Sequence, residues 1–224
     1  MCDSPCPFTD EGFFLFHFKE KKMGLFLSEL SGAVVQVLLF ALIPFAWWLI
    51  SAKKKTNFFE WIGLKKIRHE GKWLHTILIT VVVVSVYGIL TTVLMKMYSG
   101  GITAAGSNFA GMGISAIPAA MVYGYVRTGL SEELFFRGFL LKRVSSKCGF
   151  VVGNTVQALL FGAMHGIPFG IATQNVFVTI CLTLLPGALG WYQGWLNEKR
   201  CGGTIVSSWL LHGTINAIVA CLSL

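Results

Sequence analysis

Long apolar stretches, separated by short polar ones, make up most of this chain. Several approach the ~20 residues that an α-helix needs to cross a bilayer. The pattern predicts an all-α fold, an integral membrane helical bundle of about seven transmembrane helices. The predicted helices cover residues 30–51, 74–97, 110–126, 131–147, 150–165, 172–196 and 204–224.

These stretches divide the chain into three parts. Residues 1–29 form an N-terminal segment, residues 30–107 hold two transmembrane helices joined by a basic amphipathic loop, and residues 108–224 hold the remaining helices. The segment 1–29 carries an aromatic run, Phe13 to Phe18, which is typical of an interfacial segment. A second interpretation places the true start at Met23, with part of this segment upstream of it.

The loop at residues 52–73 is the densest basic region, and we expect it on the cytoplasmic side. Its aromatic residues favour a short helix on the membrane surface, although a solvated linker with buried aromatic side chains fits as well. Seven predicted crossings, counted from this loop, place Lys142, Arg143 and Lys147 on the opposite side. That position conflicts with the positive-inside rule.

Composition supports a membrane protein. The chain of 224 residues is 54% hydrophobic and 12% charged, with a mean hydropathy of +0.68. Soluble domains carry about 25% charged residues. The net charge of +8 is expected to flank the membrane spans, which is a better explanation than nucleic-acid binding. The six cysteines form no CxxC pair, so neither a zinc knuckle nor a thioredoxin-like site is indicated.

Glu132 and Glu133 are the only acidic residues between Gly71 and Asn197. An ionisable group at membrane depth costs about 3 kcal/mol, and it is by default a candidate for function. On a helix that begins at Ser131 as N-cap, Glu133 shares a face with Arg137 and can pair with it. Glu132 is rotated by about 100° from its neighbour. We therefore expect Glu132 to face a reactive water.

Further polar residues in the apolar helices are expected to converge on these glutamates. A short turn joins the predicted fourth and fifth helices, so they should be antiparallel neighbours. Glu132 begins the first and His165 ends the second, which brings both to the same depth, and Phe161 lies one turn before His165. In the last helix, His212 and Asn216 lie four residues apart on one face.

A lone histidine in a bundle is more often a core residue than a catalyst. Several polar groups within apolar helices must nevertheless all find partners away from lipid. One shared intramembrane polar cavity satisfies them together.

Such a cavity would support amide hydrolysis without a covalent nucleophile. Glu132 takes a proton from water, and His165 polarises that water or shuttles the proton. His212 and Asn216 donate hydrogen bonds to the oxyanion. Glu133 with Arg137 holds the start of the helix.

A metal-dependent version would instead use Glu132, His165 and His212 as zinc ligands. The HExxH helix of many zinc proteases does not occur in this sequence.

Three motifs in this order resemble those of the CPBP intramembrane proteases, a family that includes the CAAX prenyl endopeptidases and the bacterial Abi proteins. They are Glu132-Glu-x-x-x-Arg137, Phe161-x-x-x-His165 and His212-x-x-x-Asn216. The resemblance covers about residues 110–222 and marks residues 108–224 as a CPBP-like catalytic core. It implies a membrane-embedded endopeptidase in which the first glutamate and the first histidine activate water. It also implies that the second histidine and the asparagine form the oxyanion hole.

The name of this family includes the word metalloprotease. The glutamate-and-water mechanism nevertheless fits these residues with no required cofactor, and zinc remains the alternative. The implied substrate is a membrane-associated peptide or a prenylated or otherwise lipidated protein tail, met within the lipid bilayer. The short chain suits a multi-pass protein of the bacterial plasma membrane.

Two functions of other classes compete with the protease. A non-catalytic membrane scaffold or regulator, such as a sensor-kinase partner or a peptide-toxin immunity protein, would need none of the site residues for chemistry. A proton-coupled transporter would require an inverted repeat or paired broken helices, and the sequence contains neither.

Overall fold

The computed structural model describes residues 10–98 and 106–224, with side chains from residue 23 onward. Helix makes up 84% of the structure, and no strand occurs in the part of the chain that is described. The predicted all-α membrane bundle is therefore confirmed. The aromatic run from Phe13 to Phe18, predicted to lie at the membrane interface, falls where side chains are not described.

Besides two short 3-10 helices at Ser107–Phe109 and Ile114–Ala116, the described residues form seven helices. They are α1 (Asp10–Ser51), α2 (Phe58–Ile62), α3 (Trp73–Met97), α4 (residues 117–148), α5 (Phe150–Thr173), α6 (Val176–Arg200) and α7 (Val206–Leu222). By length and composition, four of them can cross a membrane, namely α1 from Met23 onward, α3, α5 and α6. The protein is thus a multi-pass membrane protein.

The predicted third and fourth helices form the single helix α4. Its backbone widens to π-helix over Val122–Leu130 and Leu134–Leu141, without a break between them. Ser131 has helical dihedral angles within this run, so its predicted role as an N-cap is wrong. Gly129 serves packing instead of a turn, because a Cβ atom there would lie 3.3 Å from the Cα of Gly213 on α7. Wide helical turns of this kind are frequent at functional sites.

The helix α5 also runs further than predicted. The segment Gly166-Ile-Pro168 was expected to end it after His165, but the helix continues to Thr173 with Pro168 inside. Proline is tolerated within membrane helices where neighbouring groups satisfy the freed backbone. His165 therefore lies in the middle of a helix and not at its end.

Two glycines of α5 allow it to pack closely against α6. A Cβ atom at Gly166 would lie 2.7 Å from the backbone oxygen of Thr179, and one at Gly162 would collide with the backbone oxygen of Thr183. Small residues at this spacing let membrane helices approach at their backbones. The contact fixes the face of α5 that carries His165.

The helices differ in how much of their apolar surface other helices cover. In an apolar stretch of 18 residues in each helix, only 11% is buried in the protein in α1 and 6% in α3. The buried share is 39% in α5 and 44% in α6. Without protein contacts, apolar side chains of this kind require lipid. We infer that α1 and α3 face the bilayer, whereas other helices cover a larger part of α5 and α6.

The basic loop between α1 and α3 packs against the protein. Its short helix α2 is capped by Asn57, whose Oδ1 accepts a hydrogen bond from the backbone of Glu60. Trp61 and Ile62 are buried against Ile205 and neighbouring core residues, while Phe59 is exposed. The loop thus contains the predicted short helix and also the buried aromatic side chain that the alternative expected, while its position on a membrane surface stays a prediction.

One end of the bundle collects most of the basic residues. The loop 52–72, the end of α4 and the link from α6 to α7 meet there, through bonds such as Lys142 Nζ to the backbone oxygen of Gly203. Because α4 is one helix, Lys142, Arg143 and Lys147 no longer lie opposite the basic loop, and the positive-inside rule predicts that this end is cytoplasmic. Twelve of the chain's 18 Lys and Arg residues lie here: Lys53, Lys54, Lys55, Lys65, Lys66, Arg68, Lys72, Lys142, Arg143, Lys147, Lys199 and Arg200.

Candidate active site

Glu133 is buried in the core, and both of its carboxylate oxygens have polar partners. Its Oε1 lies 3.1 Å from Nη1 of Arg137 and 3.1 Å from Nδ1 of His212. The hydroxyl of Ser208 donates a hydrogen bond to its Oε2. The predicted pair of Glu133 and Arg137 is present, and neither side chain is exposed. A buried carboxylate with this many partners is fixed in place.

Glu132 points into a different environment from its neighbour. Its Oε2 lies 3.7 Å from Nε2 of His212 and 4.0 Å from Nε2 of His165. The residue is only 7% exposed, and this oxygen accepts no hydrogen bond from any residue that the structure describes. Both distances exceed that of a direct hydrogen bond. Glu132 therefore has the freedom to accept a proton that Glu133 lacks.

The helical hairpin of α4 and α5 accounts for the position of His165 beside Glu132. Glu132 lies seventeen residues before the turn at Gly149, and His165 lies sixteen residues after it. The two side chains therefore reach a similar depth in antiparallel helices. The predicted proximity is present, although both residues lie inside long helices and not at helix ends.

Close packing of α7 on α4 brings in His212. A Cβ atom at Gly124 of α4 would lie 2.6 Å from the backbone nitrogen of Ala217. This glycine lets the two backbones touch, and the imidazole of His212 then lies between the two glutamates. His212 is 5% exposed, so it is almost fully buried.

Hydrogen-bond partners indicate which ring nitrogen of each histidine carries a hydrogen. Nδ1 of His165 lies 2.8 Å from the backbone oxygen of Phe161. A carbonyl oxygen only accepts, so Nδ1 carries the hydrogen, and in the neutral ring Nε2 presents a lone pair toward Glu132. Nδ1 of His212 likewise donates to Glu133. His212 therefore needs a second proton before its Nε2 can donate a hydrogen bond.

Phe161 forms an aromatic wall of the site. Its ring centroid lies 4.5 Å from that of His165 and 5.7 Å from that of His212. The guanidinium carbon of Arg137 lies 4.1 Å from the same centroid. Phe161 is 3% exposed, and its ring thus gives an apolar contact to Arg137 and to both histidines.

Asn216 is bound away from the glutamates. Its Nδ2 donates a hydrogen bond of 2.9 Å to Oγ1 of Thr128 on α4. Among the described side chains, its hydrogen bonds include none to Glu132, His165 or His212. The structure therefore brings together Glu132, His165 and His212, and it places Asn216 one turn further along α7.

Sequence reasoning missed three residues that support the site, Ser208, Gln193 and Asn197. Ser208 binds Glu133 and lies four residues before His212, so helical spacing from that histidine would have found it. Gln193 and Asn197 are fully buried amides of α6. Their signal is that they are two amides four residues apart, and therefore on one face of the helix.

The alternative metal site does not fit the described residues. No group of three or more His, Cys, Asp or Glu side chains within them is arranged to hold a metal ion. We therefore derive no step through a metal.

Comparison with known families supports the resemblance. Residues 114–218 match the family described as Type II CAAX prenyl endopeptidase Rce1-like. This range contains all the predicted site residues, and at family level it supports a CAAX-type intramembrane protease. Searches of curated proteins and of solved structures gave no significant match.

Proposed function

We propose that this protein is an intramembrane endopeptidase that hydrolyses a peptide bond with water activated by Glu132 and His165. One observation carries the proposal. Glu133 is saturated with partners, whereas the adjacent Glu132 has a buried oxygen without a hydrogen bond that faces two imidazole nitrogens. Adjacent carboxylates in such different environments are suited to different roles.

In the first step, a water lies between Oε2 of Glu132 and Nε2 of His165. The 4.0 Å gap between these atoms is close to the distance that one bridging water spans. The water donates one hydrogen to each acceptor, and its oxygen attacks the carbonyl carbon of the substrate. Glu132 takes the proton as general base, and the carbonyl oxygen becomes an oxyanion.

In the second step, His212 stabilises that oxyanion. Its Nδ1 is bound to Glu133, so when both ring nitrogens carry a hydrogen its Nε2 can donate to the oxyanion. Asn216 would join it only after its amide leaves Thr128, so we assign Asn216 a supporting role in the oxyanion hole. When the tetrahedral intermediate collapses, the carbon–nitrogen bond breaks and the proton on Glu132 passes to the leaving amine.

The substrate class that we propose is a membrane-associated peptide or a prenylated protein tail. The family match is to CAAX prenyl endopeptidases. The side chain of His165 is 33% exposed, so the site opens on this side while His212 stays buried. A peptide bond near a lipid anchor would reach such a site from the bilayer. We further propose a plasma-membrane location, in a bacterial cell.

Peptide profiling of membranes tests both activity and substrate. Cells with wild type, Glu132→Ala or His165→Ala are compared for peptides whose cleavage depends on the protein. We expect specific products in wild type and their loss in both variants, at equal expression and membrane insertion. A cellular phenotype that survives both substitutions would instead favour a non-catalytic scaffold or regulator.

A further inference from the structure

The helix α6 carries two buried amides that belong to none of the predicted motifs. Gln193 and Asn197 lie four residues apart, so they share one face of the helix. Both are 0% exposed. A buried amide without partners is costly, and each of these two is bound to a residue that in turn binds Glu133.

Gln193 holds the cation of the buried ion pair. Its Oε1 accepts a hydrogen bond of 2.5 Å from Nη2 of Arg137. The other terminal nitrogen of Arg137 lies 3.1 Å from Glu133. The amide thus holds one end of the guanidinium, while the other end lies beside the carboxylate.

Asn197 holds the hydroxyl that binds the same carboxylate. Its Nδ2 donates to Oγ of Ser208 at 2.6 Å, and its Oδ1 accepts from the backbone nitrogen of Ser208 at 3.1 Å. The hydroxyl of Ser208, since it accepts from Asn197, has its hydrogen available for Glu133.

We propose that Gln193 and Asn197 are positioning residues that hold Glu133 from two sides and so orient His212. This proposal deepens the proposed function, since the imidazole of His212 is bound through Nδ1 to the carboxylate that they fix. Neither amide touches the substrate. Their effect passes through Arg137 and Ser208 to Glu133, and from there to the group that stabilises the oxyanion.

The activity test uses an internally quenched farnesylated CAAX peptide with the full-length protein in nanodiscs. Gln193→Met removes the acceptor at similar volume, and we expect kcat to fall about 10- to 100-fold with KM little changed. Gln193→Glu keeps an acceptor for Arg137 and should recover most of the loss. Asn197→Asp keeps the bonds that Oδ1 accepts but removes the donor to Ser208, and it should also lower kcat.

Gln157→Met is the matched control. Gln157 is an equally buried amide, on α5, and it donates to Asn154 and to the backbone oxygen of Gly190. It should lower thermal stability without a specific loss of kcat. If Gln157→Met reduced kcat as much as Gln193→Met at the same folded fraction, a general packing role would replace the positioning role.

A second measurement does not depend on hydrolysis. Thermal unfolding is compared for Gln193→Met, Ser208→Ala and the double variant, which together form a double-mutant cycle. Because both residues act on Glu133, we expect non-additive shifts in Tm. Additive shifts would overturn the proposal, as would an unchanged kcat in Gln193→Met with an active wild type. Coupled shifts in a protein whose wild type cleaves nothing would retain the positioning role and argue against the protease.

Discussion

Oε2 of Glu132 lies 3.7 Å from Nε2 of His212, although eighty residues separate them in the chain. The other nitrogen of that ring lies 3.1 Å from Glu133. One buried imidazole therefore connects two adjacent carboxylates, of which only Glu133 has a full set of partners. This arrangement supports our proposal that Glu133 has a structural role and that Glu132 binds the reactive water.

The first prediction concerns the stability of the buried pair. Arg137→Met leaves Glu133 as an unpaired charge in the core, and we expect it to destabilise the protein by about 3–5 kcal/mol. The double variant Glu133→Gln with Arg137→Met removes both charges and should be more stable than Arg137→Met alone. Thermal unfolding in a single detergent measures the difference. If the double variant were the less stable one, Glu133 would not depend on Arg137.

The second prediction concerns the contact between α5 and α6. Gly166→Ala forces its Cβ against the backbone of Thr179, and we expect a loss of about 1–3 kcal/mol together with reduced activity, because His165 moves. Gly88→Ala is the matched control, since a Cβ at this position of α3 meets nothing within 4 Å. It should leave stability and activity unchanged. Equal effects of the two substitutions would mean that helix packing at Gly166 is not tight.

Much of the site could be predicted from sequence, because helical spacing and a short turn suffice for it. The pair of Glu133 and Arg137, and the approach of His165 to Glu132, follow from these alone. The continuity of α4 through Gly129 and of α5 through Pro168 does not, because local propensity favours a break at both. Contacts with neighbouring helices and the apolar surroundings override that preference, and no single stretch of sequence contains them.

The third prediction concerns orientation. If the basic end is cytoplasmic, the exposed thiol of Cys148 should react with a membrane-impermeant maleimide only in inverted vesicles. The other five cysteines are replaced by serine for this experiment. The substitution Ile114→Cys places a thiol at the opposite end of α4, because Ile114 lies just before this helix and is 81% exposed. This thiol should react only in intact spheroplasts. Labelling of Cys148 in intact spheroplasts would show that the basic end lies outside, contrary to the prediction.

The fourth prediction concerns metal. Since we propose that water is activated by Glu132 and His165 alone, hydrolysis of the farnesylated reporter should persist after dialysis against EDTA and 1,10-phenanthroline. Loss of activity on chelation, with recovery on addition of zinc, would restore the alternative in which Glu132, His165 and His212 are ligands. Metal content of the purified protein, measured in parallel, checks that removal was complete.

The central claim, that Glu132 is the general base, is tested most directly by the rate of the isosteric variant Glu132→Gln in nanodiscs. General base catalysis contributes about a hundred- to ten-thousand-fold, so we predict a fall in kcat of that size with the folded fraction unchanged. A variant Glu132→Gln that cleaves the reporter at the wild-type rate would contradict the account.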